Sequence, residues 1–84
     1  GVPEFTELSL KFAYGQDSMP LKEGRVAGVQ TLSGTGACRV LGQLIATFKG
    51  QGSAIYLPDP TWGNHIPVFK HAGLDVKRYR YYDP

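Results

Sequence analysis

The chain has 84 residues, is 42% apolar and carries a formal net charge of +2. A domain of that length buries only about 60–65% of the surface its unfolded chain exposes, and charges of both signs are mixed along it, with no block suited to nucleic acid or an anionic membrane. The one cysteine, Cys38, excludes an internal disulfide and suits a reducing compartment; no apolar run approaches the ~20 residues of a membrane span, and no signal-peptide pattern opens the sequence.

Pro3 to Tyr14 reads as a helix. Pro3 suits the first turn, where its missing N–H costs nothing. Glu4 and Glu7 lie toward the positive end of the helix dipole and Lys11 toward the negative end. Phe5, Leu8 and Phe12 recur on one face, and Gly15 supplies the stop. Gln16 to Gly24 is polar, holds Pro20 and Gly24, and reads as a loop. Arg25 to Leu32 (RVAGVQTL) is β-branched and mostly apolar, as in a buried strand of a parallel sheet.

Next comes the turn Ser33-Gly34-Thr35-Gly36, and then a helix expected from Ala37 to Lys49. Val40, Leu41, Leu44, Ile45 and Phe48 give that helix its period, and Lys49 and Gly50 end it. Gly50 to Ser53 is a turn and Ala54 to Leu57 a short strand. The loop PDPTWGNH follows, then a short helix from Ile66 to Ala72 closed by Gly73. Asp75 to Tyr82 reads as a last strand.

The order is a helix followed by β-α-β-α-β. Strands alternating with helices predict parallel strands and an α/β fold. The sequence opens on Gly1 rather than Met and closes on YRYYDP, a strand-like run with a turn dipeptide. Such abrupt ends lead to the expectation of a piece of a longer protein.

Parallel α/β sheets bind ligands at the carboxyl ends of their strands. The expected place of Ser33 to Gly36 is past the end of a strand and before a helix. The free N–H groups of that helix carry partial positive charge. Glycines let backbone N–H groups approach an anion, and the hydroxyls of Ser33 and Thr35 add donors, so the turn fits a phosphate cradle. It also fits an ordinary helix cap, for which Ser and Thr are preferred. The dinucleotide pattern GxGxxG fails, because Arg39 stands at the third glycine. GxxxxGK[ST] fails for want of the lysine. A cradle without those patterns points to a simple phosphate monoester, such as a phosphorylated cofactor or sugar.

Trp62, the only tryptophan, sits among turn residues. It reads either as a packing anchor or as a ring stacked on a flat aromatic ligand whose phosphate lies in the cradle. His65 reads as a helix-start or packing residue, or as a titrating group beside that ligand. His71 reads as surface. No nucleophilic triad, metal cluster or carboxylate pair emerges; Cys38 has no CxxC companion, and Lys22, Lys49, Lys70 and Lys77 read as solvated.

The opening PEF helix, SGTGA, DPTWGNH and the closing YRYYDP together resemble aspartate aminotransferases of the eukaryotic type. These are fold-type-I enzymes that use pyridoxal 5′-phosphate. The resemblance runs from Gly1 to Pro84 in order and spacing. It implies that residues 1–84 form part of the large, cofactor-binding domain of a homodimer. It further implies that Ser33, Gly34 and Thr35 hold the cofactor phosphate and that Trp62 stacks on the pyridine ring. His65 would stand beside the carboxylate that pairs with the pyridine nitrogen. The Schiff-base lysine, that carboxylate, the ring-oxygen tyrosine and the substrate-gripping arginines would lie beyond Pro84; none of Lys11, Lys22, Lys49, Lys70 or Lys77 occupies the lysine's place.

The function so implied is amino-group exchange between aspartate and 2-oxoglutarate, with no nucleic-acid, membrane or metal partner. A soluble cytoplasmic or organellar-matrix location is expected, and the sequence does not choose between them. Rival readings are a non-catalytic module that binds a small phosphate ligand, and a structural α/β piece with no ligand.

Overall fold

The computed structural model describes residues 1–84 and divides into two compact units, Gly1–Thr31 and Leu32–Pro84. In the first unit, helix α1 spans Pro3–Tyr14, as the sequence predicts. Pro3 begins it, and Gly15, at φ 93°, ends it by donating its N–H to the Lys11 carbonyl at 2.9 Å. Lys11 and Glu7 form an exposed ion pair one turn apart at 3.3 Å, a contact worth a few tenths of a kcal/mol at about one helical turn's spacing. Part of the expected loop is helical: α2 spans Met19–Lys22.

The strand expected at Arg25–Leu32 is not formed. The segment takes no part in a sheet, since the two-stranded sheet is formed within the second unit. β structure needs a neighbour to take its backbone hydrogen bonds. Instead, Gly28 lies close against α1. A Cβ at that glycine would sit 3.0 Å from Thr6 Cγ2 and 3.2 Å from Leu10 Cδ1. Gln30 Oε1 accepts the Val2 N–H at 2.7 Å.

The second unit is the α/β body. Helix α3 (Ser33–Phe48) is followed by strand β1 (Ala54–Asp59), helix α4 (His65–His71) and strand β2 (Asp75–Arg80). β1 and β2 run parallel, in register from Ala54 opposite Asp75 to Asp59 opposite Arg80. β1 thus runs two residues beyond the expected Leu57, β2 stops short of Tyr82, and α4 begins at His65. The core is Ala46, Leu57, Phe69 and Leu74, with Cys38, Ile45, Ile55, Ile66 and Val76 packed around it.

The inward face of α3 is Cys38, Gly42, Ile45 and Ala46, an i, i+4, i+7, i+8 stripe. Of the apolar set that gives the helix its period in the sequence, only Ile45 lies there; Val40, Leu41, Leu44 and Phe48 are exposed. Small residues face inward because α4 comes close. A Cβ on Gly42 would stand 3.1 Å from both the Ala72 Cβ and Phe69 Cδ1.

Candidate functional site

Helix α3 begins at Ser33, four residues before the expected Ala37, so Ser33 to Gly36 is its first turn rather than a separate loop. The chain enters it through Leu32, which offers no side-chain cap, and through Ser33 at φ 55°. Gly36 N–H donates to the Leu32 carbonyl at 3.1 Å and closes the first helical bond. Ser33, Gly34 and Thr35 are exposed, and a Cβ placed on Gly34 would meet nothing within 4 Å. The result is an open helix start with partial positive charge, two hydroxyls and no side-chain cap.

The loop after β1 comes to the same place. Pro60, Thr61, Trp62, Gly63 and Asn64 connect Asp59 to His65. Asn64 Nδ2 donates to Thr35 Oγ1 at 3.3 Å, a contact between residues 29 apart in sequence. It ties the carboxyl end of β1 to the first turn of α3. The expectation that this loop meets the glycine turn rested on two parallel strands; here the Asn64–Thr35 bond joins them, with no strand at Arg25–Leu32.

Trp62 is not in the core: it is 61% exposed. Its ring meets that of His65 nearly at right angles, with centroids 5.5 Å apart and an interplanar angle of 85°. His65, half-buried, is fixed from the other side by Thr61, whose Oγ1 lies 3.0 Å from Nδ1. Any further hydrogen bond from that imidazole must therefore be made by Nε2. The His65 N–H donates to the Trp62 carbonyl at 3.0 Å, so the loop turns tightly into α4. His71 lies in the last turn of α4, exposed, away from this end.

Among the sequence-predicted site residues, Ser33, Gly34 and Thr35 share one helical turn, Trp62 and His65 share one loop, and Asn64 joins the two groups. Thr61 and Asn64 are additions that sequence reasoning missed. Their only signal was their place within TWGNH.

The loop that carries the exposed indole is thus tied by Asn64 to the uncapped start of α3, at the carboxyl end of β1. The family described as aminotransferase class I and II matches residues 1–84. The chain belongs to the class I and II aminotransferases. It is 52% identical over all 84 residues to the Arabidopsis thaliana aspartate aminotransferase, cytoplasmic isozyme 2, and 54% identical over the same length to aspartate aminotransferase 1 of Medicago sativa. It covers 21% and 20% of those two proteins, so it spans about a fifth of the length of the relatives it matches.

Solved aminotransferases superpose closely on it. The mitochondrial aspartate aminotransferase of Trypanosoma brucei gives a TM-score of 0.91 at 40% identity, over 100% of this chain and 22% of that one. An aromatic-amino-acid aminotransferase of Burkholderia pseudomallei, solved covalently bound to pyridoxal phosphate, gives 0.89 at 34% identity, over 99% and 21%. The α/β fold with parallel strands is thus that of the fold-type-I aminotransferases over this segment. No helix of this aminotransferase segment is long and apolar enough to cross a membrane.

Proposed function

We propose that this chain is the part of an aspartate aminotransferase that receives the phosphate and one ring face of pyridoxal 5′-phosphate. The observation that supports the reading is the Asn64–Thr35 hydrogen bond, which ties the loop carrying the exposed Trp62 to the uncapped first turn of α3. The residues fit the group. A phosphate offers only acceptors, and this turn offers hydroxyls and amides at the positive end of a 16-residue helix. Gly34 leaves open space where a side chain would stand. Trp62 keeps most of its ring available for stacking on a flat heterocycle.

In this reading Ser33, Gly34 and Thr35 bind the phosphate, and Trp62 covers the ring and excludes water from that face. His65, anchored by Thr61, offers Nε2 to a carboxylate that pairs with the ring nitrogen. Bound pyridoxal phosphate supplies an electron sink for chemistry at the amino acid's α-carbon, while the protein orients and tunes it. Residues 1–84 then belong to the cofactor-binding large domain. The whole protein, a homodimer, would exchange an amino group between aspartate and 2-oxoglutarate. Aspartate is favoured over an aromatic amino acid because curated relatives named for aspartate reach 52–54% identity over the whole chain, whereas among solved structures the aspartate enzymes, at 37–40%, lie only slightly above the aromatic-amino-acid enzymes at 32–37%. Relatives named for a compartment include cytoplasmic enzymes of plants and mitochondrial enzymes of animals and of Trypanosoma brucei.

The test uses the full-length protein that carries this segment. Oxaloacetate should form from aspartate and 2-oxoglutarate in proportion to bound pyridoxal phosphate, and Thr35→Val should lower cofactor retention. A full-length protein that binds the cofactor without transferring an amino group would leave a phosphate-ligand binding module as the better reading.

A further inference from the structure

Building on the phosphate reading above, we propose that Asn64 is a positioning residue that turns the Thr35 hydroxyl into a committed donor toward the cofactor phosphate. The contact is the 3.3 Å bond from Asn64 Nδ2 to Thr35 Oγ1. A threonine hydroxyl has one hydrogen and two lone pairs, and an amide NH₂ only donates. The polarity of the contact is therefore fixed: Asn64 fills a lone pair of Oγ1. The hydroxyl hydrogen must then point elsewhere, and Thr35 is exposed on the first turn of α3.

A phosphate group in front of that turn has acceptors alone to offer. A hydroxyl left to rotate freely serves as donor or acceptor. One that already accepts from Asn64 is oriented to donate before the ligand arrives, and the amide's donation polarises it in the same sense. Bonds of this kind to an anion are the stronger class of hydrogen bond.

The backbone around Asn64 is well held. Its carbonyl accepts the Val68 N–H at 3.3 Å, and the next residue's N–H reaches back to the Trp62 carbonyl at 3.0 Å. The short turn that carries the stacking indole thus also carries the amide that orients the phosphate donor. Ring and phosphate recognition are coupled through this turn.

The experiment titrates the full-length apoprotein with pyridoxal 5′-phosphate and measures its Kd, with wild type, Asn64→Ala, Asn64→Asp, Thr35→Val and the Asn64→Ala/Thr35→Val double variant. Asn64→Ala should raise Kd about threefold to tenfold, the worth of a typical net hydrogen bond. The apoprotein's thermal midpoint should not move, which separates positioning from a general structural role. The near-isosteric Asn64→Asp should raise Kd further, because its carboxylate accepts the Thr35 hydrogen that the phosphate needs. In the Thr35→Val background Asn64→Ala should add nothing. An equal effect of Asn64→Ala in both backgrounds overturns the inference, and so does an unchanged Kd in Asn64→Ala while Thr35→Val weakens binding. If Thr35→Val itself leaves Kd unchanged, the phosphate reading of the turn falls, and the role of Asn64 falls with it.

Discussion

Ser33 holds φ at 55°, a left-handed value that serine seldom adopts. Such positions cost of order 1 kcal/mol or more and collect where a backbone must present its groups in one direction. Here the residue opens the exposed first turn of α3. Thr35 is the next hydroxyl along that turn. Replacing it by Val keeps the shape and removes one donor from a charged acceptor, so cofactor affinity should fall by about 1.5–3 kcal/mol. Cofactor retention of the full-length variant on gel filtration reads this directly, and undiminished retention would favour a plain helix start. Trp62 makes a different contribution. Its exposed ring should add roughly 0.5–1.5 kcal/mol beyond area burial when stacked. Trp62→Phe should keep most of that, and Trp62→Ala should weaken binding and slow turnover. Equal cofactor Kd values for the two variants would mean that the ring is not a stacking surface.

At the scale of elements, α3 and α4 pack tightly against each other at Gly42. The site opposite it is filled by Phe69 and Ala72, exposed by only 4% and 3%. Gly42→Leu must push both apart, and overpacking of this kind costs typically about 1–3 kcal/mol. The full-length variant should melt at a lower temperature, and an unchanged midpoint would show that α4 shifts freely. Gly42 also shows what the sequence conceals. Its helix was legible from period and end signals, yet the inward stripe was not, because α3 is apolar on more than one side and its smallest residues face the core. The start of α3 was misplaced for a related reason: glycine suggests a loop, but a first helical turn tolerates it when the backbone must stay open. The segment at Arg25–Leu32 has the composition of a buried strand, and composition says nothing about whether a neighbour is present to pair with it. The bounds of α1 were legible because its proline, its charges and Gly15 all act locally, whereas its apolar face of Phe5, Leu8 and Phe12 is exposed. In the candidate site, SGTGA and TWGNH were legible as motifs. The side-chain bond between them was not, since it joins positions 29 apart.

The lysines of the second unit lie outside the two segments that make up the candidate site. Lys49 follows the last turn of α3, and a helix of 16 residues places it about 24 Å from the first turn. Lys70 lies in the last turn of α4, at the end opposite His65. Lys77 sits opposite Tyr56, midway along the strands, and pairs with Asp75 at 3.5 Å. No lysine lies in the first turn of α3 or in the loop that carries Trp62. Covalent anchoring and proton transfer at the substrate carbon call for an amine at the cofactor, and on the proposed reading this unit contributes cofactor contacts without that amine. The many exposed apolar side chains, among them Phe12 at 93%, Phe48 at 80% and Leu44 at 53%, further oppose a stable isolated fold. The 84-residue chain, mixed with pyridoxal phosphate, aspartate and 2-oxoglutarate, should therefore form oxaloacetate no faster than the free cofactor does. The full-length protein under the same conditions should exceed that background by many orders of magnitude, since enzymes accelerate their reactions by about 10⁶-fold or more. Turnover by the short chain clearly above the free-cofactor rate would mean that one of its own lysines reaches the cofactor, and the assignment of this segment to cofactor holding alone would be wrong.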